Sequence, residues 1–219
     1  MKKMKKLLLS LALVAFMGTG TGAWAQEQKA KVSLNVCPQW SANTGVKAGV
    51  GLYIPFGQSR WGFEPGLNWS FRNVTSEQVA NKNQLNYNDK VHYLDLPLRL
   101  AVRVAGRKAG PFNLSLLFGP YLAYGLGGTS HYTLTKEGQI TQGEADAFSD
   151  EGRLESRFDY GLNLGANALI QQHIQVGIFT EIGLKGIYKQ NSVAEVLIGD
   201  LFGVTKINLC AGVSVGYRF

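Results

Sequence analysis

Apolar and polar residues alternate one by one along most of this chain, and helical spacing of apolar residues is almost absent. In the C-terminal segment, polar or small residues separate the apolar residues Ile207, Leu209, Ala211, Val213, Val215, Tyr217 and Phe219. A period of two residues predicts β-strands with one apolar face and one polar face. The same pattern recurs along the chain and predicts eight strands, at residues 32–40, 46–56, 61–71, 94–104, 112–124, 158–168, 174–184 and 207–219.

The connections between these strands alternate in length. Short ones follow the second, fourth and sixth strands, at residues 57–60, 105–111 and 171–173. Longer ones follow the third, fifth and seventh, at residues 73–90, 127–156 and 189–204, and only residues 41–45 break the rule. Short periplasmic turns and long outer loops are typical of transmembrane β-barrels. We therefore predict an all-β fold, an eight-stranded antiparallel up-and-down transmembrane barrel with longer extracellular loops.

The register of the sixth hairpin follows from its turn. A three-residue turn at Gln171, Gln172 and His173 pairs Ile170 with Ile174. The same register places Asp159 opposite Lys185 on the polar face. A slip by one residue would turn every polar group to the apolar side, so the pattern specifies this register strongly.

The polar face contains too many glycines and too few charges for a solvent-exposed exterior. If the apolar face meets lipid, the polar face lines an interior that side chains just fill in an eight-stranded barrel. Closure also pairs both edge strands, as hydrocarbon surroundings require. Aromatic residues cluster near both ends of the predicted strands, as expected for the girdles at the two membrane interfaces.

The first 25 residues have the three parts of a secretory signal, namely lysines at positions 2, 3, 5 and 6, an apolar run over 7–17, and Ala23-Trp24-Ala25. We predict a cleaved signal peptide at residues 1–25 and one outer-membrane barrel domain at 26–219. Cleavage lowers the 22 Lys and Arg residues to 18, against 15 Asp and Glu, so the net charge of +7 becomes +3. This weak, dispersed charge argues against nucleic-acid binding.

The chain ends in Tyr217-Arg218-Phe219, which resembles the C-terminal insertion signal of outer-membrane barrels. We expect Tyr217 and Phe219 to form that signal and the protein to reach the cell outer membrane through the periplasm. The expected partners are the outer-membrane insertion machinery, periplasmic chaperones, and the lipid and lipopolysaccharide around the wall. We expect a monomer.

Seven charged residues on the polar face are predicted to form a polar network in the lumen: Glu64, Asp95, Arg99, Arg103, Asp159, Glu181 and Lys185. They either line a conduit or ligand site, or fill the interior as paired charges. The second alternative is favoured because buried charges must be paired and eight-stranded barrels have little internal space. Glu64 and Arg103 are expected to pair.

Cys37 and Cys210 both lie on the polar face, on the first and last strands. These strands become neighbours when the barrel closes, so a disulfide across the seam is a possibility that an oxidising compartment permits. The alternative is two small buried residues without a bond, because a shared face does not ensure the required separation of the Cα atoms.

No residue pattern indicates a catalytic, cofactor or metal site, and we expect no enzymatic activity. His92, His131 and His173 are too dispersed to hold a metal. Ser130-His131 raises the alternative of a lipid hydrolase, although no acid partner is evident. The acidic segment 129–156 lacks the ordered ligand spacing of a calcium loop, which favours a solvated surface loop.

Four motifs resemble the PorT-like family of small outer-membrane β-barrels from Bacteroidota-type bacteria. They are Tyr93-Leu94-Asp95-Leu96-Pro97-Leu98, Gly119-Pro120-Tyr121, Phe158-Asp159-Tyr160-Gly161 with Gly165, and the terminal Gly216-Tyr217-Arg218-Phe219. The resemblance implies the barrel fold and the outer-membrane location. It also implies, as an alternative function, an accessory role with the components of a protein secretion system. Our first expectation is an envelope structural or interaction protein that acts through its extracellular loops.

Overall fold

The computed structural model describes residues 30–41, 43–80, 83–107, 110–136, 138–149, 154, 156–184 and 209–219. The predicted signal peptide and the predicted loop 189–204 lie outside these residues. The strands are β1 (Lys31–Ser41), β2 (Asn43–Pro55), β3 (Trp61–Ala80), β4 (Asn83–Gly106), β5 (Phe112–Lys136), β6 (Gln139–Asp146), β7 (Phe158–Ile170), β8 (Ile174–Gly183) and β9 (Leu209–Arg218).

Eight of these strands form a closed antiparallel ring in the order β4-β3-β2-β1-β9-β8-β7-β5. The pairing of β4 with β5 closes the ring, and β1 pairs with β9 at the seam between the chain ends. Apart from the β1–β9 seam, and the β5–β7 pair that the short strand β6 separates along the chain, neighbours in the ring are neighbours along the chain. The predicted eight-stranded up-and-down barrel is confirmed.

Two of the predicted loops are instead largely strand. β3 and β4 continue as a paired ladder from Asn73 opposite Lys90 to Ala80 opposite Asn83. β5 continues to Lys136 and pairs there with β4 on one side and with β6 on the other. Their apolar residues are few, and on β4 they are the odd-numbered Leu85 and Tyr87, opposite Leu134 and Tyr132 of β5. The apolar residues that identified β4 within the barrel are even-numbered, so the alternation changes phase between the two parts of the strand.

The sixth hairpin has the predicted register. Ile170 pairs with Ile174 and Gly161 with Gly183, whereas Lys185 lies outside the described residues. The turn holds Gln171 at φ 49° and Gln172 at φ 65°, a left-handed conformation that is unusual for residues other than glycine. His173 Nδ1 donates to the carbonyl oxygen of Arg218 at 2.8 Å and ties this turn to the last strand.

The two faces of the wall differ as predicted. Large apolar side chains are exposed on the exterior, with Ile178 at 62% and Val36 at 56% of their maximal accessible surface. Polar and charged side chains are buried inside, including Asp159 at 0% and Glu181 at 1%. Among the residues described, no helix is long and apolar enough to cross a membrane.

Candidate functional site

A buried ionic cluster fills the middle of the lumen. Lys47 Nζ on β2 lies 2.9 Å from Asp95 Oδ2 on β4 and 2.7 Å from Glu181 Oε2 on β8. The Arg72 guanidinium lies 3.2 Å from Asp95, 3.4 Å from Glu181 and 3.6 Å from Asp159. The side chains of Lys47, Arg72, Asp95 and Glu181 are each at most 4% exposed. We call these five residues the central cluster; its three carboxylates and two cations leave one negative charge.

A second group of charges lies nearer the turns and carries one positive charge. Glu64 Oε1 accepts a hydrogen bond from Arg99 at 2.8 Å, and Glu64 Oε2 accepts one from Arg218 at 3.2 Å. The predicted pair of Glu64 with Arg103 is wrong, because the register of β3 against β4 sets Glu64 opposite Arg99. The two groups together are electrically neutral.

A cavity of about 40 Å³ lies between the two charged groups. Lys47 and Glu181 line it from one side, Glu64 and Arg99 from the other, and carboxamides complete the wall: Asn35, Asn68, Asn163, Asn167 and Gln175. This volume has room for about two or three water molecules. Within the described residues, the interior is therefore filled by side chains and leaves no wide aqueous channel.

The loop end of the lumen is closed by the segment that follows β6. Ala147 and Leu154 are at most 2% exposed and pack with Val91, Tyr93, Tyr121 and Ala123. The ring of Phe148 meets Tyr93 edge-on at 6.2 Å and lies 4.6 Å below the Arg157 guanidinium. This apolar plug lies against the central cluster, because the Arg72 guanidinium is 4.6 Å from the Tyr93 ring and Tyr121 donates to Asp159 at 3.0 Å.

Four strands extend beyond the barrel as one sheet, which we call the projecting sheet: residues 74–80 of β3, 83–89 of β4, 129–136 of β5 and the whole of β6. Seven residues of strand reach roughly 20 Å. In the described part of the chain, β6 pairs with β5 alone, so its other backbone edge has no strand partner. β6 has the sequence QITQGEAD, which contains two acids and no base.

The cysteines do not form the disulfide that we considered. Cys37 and Cys210 are both free and buried. The seam register explains this, because Val36 pairs with Val215 and Gln39 with Gly212, so Cys37 and Cys210 are offset along the two strands. The Cys210 thiol donates instead to Gln39 Oε1 at 3.2 Å.

Ser130 and His131 lie on opposite faces of β5, as consecutive strand residues must. The Ser130 hydroxyl is buried and donates to Asp89 Oδ1. His131 is exposed and its Nδ1 lies 3.5 Å from Glu144. The histidine therefore does not contact the serine that it would have to activate. In the portion described, no group of three His, Cys, Asp or Glu side chains is placed to hold a metal ion.

Two central cations were missing from the residues that we predicted for the lumen network. Lys47 and Arg72 are on the polar faces of β2 and β3, beside Gly49 and Asn68. Charge counting could have found them, because three buried carboxylates at Asp95, Asp159 and Glu181 require buried cations. Tyr217 and Phe219, the predicted insertion signal, are exposed on the exterior at 46% and 63%, with ring centroids 5.1 Å apart.

Comparison with known families gives a match over most of the chain. The model of a family described as outer membrane protein beta-barrel domain matches residues 16–189, which is more than half of the sequence. No curated protein matches the chain.

Several solved structures are similar in fold. A major outer membrane protein from Thermus thermophilus is 15% identical with a TM-score of 0.46, over 87% of this chain and 99% of that one. Ail, the attachment invasion locus protein of Yersinia pestis, solved with a heparin analogue, is 11% identical with a TM-score of 0.40, over 89% and 100%. The outer membrane enzyme PagL is 12% identical with a TM-score of 0.34, over 87% and 99%. At these identities the likeness concerns the fold alone.

Proposed function

Because this chain belongs to the outer membrane protein beta-barrel domain family, we propose that it is an outer-membrane interaction protein that binds its partner through the projecting sheet. The projecting sheet is the observation that carries the proposal. It presents long paired strands beyond the lipid-facing wall, on the side opposite the short turns, which is the outer side in barrels of this kind.

The free edge of β6 supports this role. An unpaired strand edge offers a row of backbone donors and acceptors to an extended segment of another chain. Ile140 on β6 is 67% exposed and would add apolar contact area. Glu144, whose side chain is 63% exposed, favours a partner with a basic side chain next to the paired strand, because opposite charges steer association and fix its register.

The filled lumen supports interaction rather than transport. The central cluster pairs its charges across the barrel, and the apolar plug lies between this cluster and the loop end. We propose no catalytic activity, since the separated side chains of Ser130 and His131 give no activated nucleophile. A lipid A deacylation assay with purified protein and a His131→Ala control tests this; release of acyl chains by the unmodified protein alone would contradict it.

The route to the membrane is part of the same proposal. We propose that residues 1–25 are removed on export, that periplasmic chaperones deliver the chain, and that the insertion machinery recognises Tyr217 and Phe219. Both rings lie on the exterior. They would therefore be accessible to the insertion machinery while the last strand is extended and still unpaired. We further propose that the barrel is monomeric within lipid and lipopolysaccharide.

Photo-crosslinking in intact cells tests the interaction role. A photoreactive amino acid replaces Ile140 on β6, and the control carries it at Val176, which faces lipid on β8 and is 39% exposed. We expect a protein adduct of defined mass at position 140 and lipid adducts alone at position 176. A further control lacks most of the projecting sheet, because residues 75–88 and 131–144 are each replaced by Asn-Gly. In this variant the photoreactive residue at position 176 should still form lipid adducts, as expected if the barrel itself still assembles. Adducts of position 140 with lipid alone would contradict the proposal.

The resemblance to PorT-like proteins favours a second candidate, an accessory role in protein secretion. Two of the resembling motifs contribute Asp95 and Asp159 to the central cluster. If the role is correct, deletion of the gene should reduce export of secreted proteins, and a plasmid copy should restore it. Unchanged export in the deletion strain would contradict this candidate and leave the first one standing.

A further inference from the structure

The exterior of β4 changes from apolar to basic at the loop end of the barrel wall. Its outward residues are apolar over ten residue steps, from Val104 to Leu94. At about 3.4 Å per residue and a tilt of about 40°, this stretch is roughly 26 Å high, which matches the apolar band of an outer-membrane barrel. The next outward residues are His92 and Lys90, so both lie at headgroup level.

His92 is held on this surface by two aromatic rings of β3. Its ring centroid lies 5.6 Å from that of Trp69, nearly parallel to it, and 5.1 Å from that of Phe71. Phe71 is its direct cross-strand neighbour. Among the described residues, no hydrogen bond satisfies either ring nitrogen of His92. The imidazole is therefore fixed in orientation while its polar atoms face outward.

Lys90 lies beside His92 on the same face, and its side chain is exposed. No ion pair to Lys90 occurs within the part of the chain that the structure describes. Lys90 pairs with Thr129 on β5, and Thr129 pairs with Asp146 on β6. Asp146 is the nearest acid along this line of paired residues, and two strand spacings place it roughly 10 Å from Lys90. Asp146 is already 3.9 Å from Arg157. Lys90 thus has an uncompensated positive charge at the membrane boundary.

The backbone leaves space next to these two side chains. Gly127 on β5 pairs with His92, and a Cβ atom added to it would have no atom within 4 Å. The register shift between His92 and Tyr93 leaves Leu126 as a bulge residue, 51% exposed, below this space. Bulges commonly redirect side chains beside functional sites. Asn73 and Thr129 flank Lys90 on the neighbouring strands. Thr129 adds a hydroxyl, and Asn73 adds a carboxamide whose Oδ1 is buried and, among the described residues, has no hydrogen-bond partner.

We propose that Lys90, His92, Asn73 and Thr129 form a binding site for the phosphorylated sugar headgroup of an outer-leaflet glycolipid. The phosphate would accept hydrogen bonds from Lys90 and His92, while Asn73 and Thr129 would meet sugar hydroxyls. Ammonium and imidazole donors bind phosphate through charge-assisted hydrogen bonds, and basic sites at the membrane surface select anionic headgroups. The rings of Trp69 and Phe71 anchor the site in the aromatic girdle. The inference does not depend on what the projecting sheet binds.

Native mass spectrometry of the folded full-length mature protein, released from detergent micelles, tests the site. The probes are bisphosphorylated lipid A, the same lipid after enzymatic removal of its phosphates, and inorganic phosphate. We expect one retained equivalent of the phosphorylated lipid and at least about tenfold weaker retention of the dephosphorylated lipid. Inorganic phosphate at the lipid concentration should not displace the bound lipid. Equal retention of both lipids, or displacement by free phosphate, would overturn the proposal.

Matched variants separate this site from general lipid adhesion. Lys90→Ala with His92→Ala should weaken retention of phosphorylated lipid A at least about tenfold, and Lys90→Arg should keep it. Lys136→Ala, which removes an exposed lysine at the tip of β5, should leave retention unchanged. Heat-modifiable gel migration confirms that each variant is folded before it is measured. Unchanged retention in the folded double variant would refute the assignment of these residues.

Discussion

Lys47 and Glu181 meet across the lumen through two hydrogen bonds of 2.7 Å, although 134 residues separate them in the chain. Lys47 is on β2 and Glu181 on β8, so their contact requires the ring to be closed on both sides. The same ammonium group also binds Asp95 on β4. One buried cation thereby links three strands that are not neighbours in the ring.

Removal of the Lys47 charge should destabilise the barrel strongly. Lys47→Met leaves Arg72 as the one cation against the three buried carboxylates of the central cluster. The uncompensated buried charge costs about 3–5 kcal/mol of unfolding free energy. Urea unfolding of the protein in lipid vesicles measures the loss. Lys136→Met, on the projecting sheet, should change the same quantity by less than about 0.5 kcal/mol. Equal effects of the two substitutions would contradict the role of Lys47 in the central cluster.

The cysteines should behave as two buried free thiols. Protein purified without reductant should bind no N-ethylmaleimide while folded, because Cys37 and Cys210 are at most 4% exposed. After unfolding in urea it should bind two equivalents, which intact mass spectrometry counts. If the unfolded protein binds no N-ethylmaleimide, and binds two equivalents only after reduction, the two cysteines form a disulfide instead.

The plug at the loop end depends on Gly125. A Cβ atom at this position would overlap the Phe148 ring, so Gly125→Leu should displace the plug. Limited trypsin digestion of the folded protein should then cleave after Arg157, whose guanidinium lies against the Phe148 ring, several times faster than in the unmodified protein. Gly127→Leu is the matched control, because its Cβ atom meets nothing within 4 Å. Similar digestion rates for the two variants would argue against the plug.

The insertion signal can be separated from fold stability by comparing two phenylalanines. Phe219 and Phe112 are both on the exterior near the turns, 63% and 47% exposed. If Phe219 is read by the insertion machinery, Phe219→Ala should lower the amount of folded barrel in cells several-fold, whereas Phe112→Ala should not. Unfolding in vesicles should be similar for the two variants. Equal assembly yields in cells would contradict the signal.

The sequence was most informative where one face of a strand meets lipid. Alternation located the eight strands, and the turn at Gln171 determined the register of the sixth hairpin. The projecting sheet was mistaken for loops because its apolar residues are few and out of phase with the barrel wall. On β4 they are the odd-numbered Leu85 and Tyr87, whereas the apolar residues that identified this strand in the wall are even-numbered.

The sequence predicted that charged residues line the lumen, but it did not predict which of them pair. The face of each charged residue follows from alternation, whereas its partner depends on the register of every strand between the two. Glu64 pairs with Arg99 rather than Arg103 because the register of β3 against β4 sets Glu64 opposite Arg99. Lys47 reaches Glu181 only through closure of the whole ring, which no local pattern in the sequence specifies.

The central claim is that the apolar face of each barrel strand meets lipid while the polar face fills the lumen. A spin-label scan of β8 tests it most directly, with single cysteines at positions 174–183 in a background carrying Cys37→Ser and Cys210→Ser, reconstituted in lipid vesicles. Collision with oxygen, which concentrates in the hydrocarbon, should peak at every even-numbered position from 174 to 182 and fall at the odd-numbered ones. Oxygen maxima at the odd-numbered positions, or a profile without a two-residue period, would contradict the account.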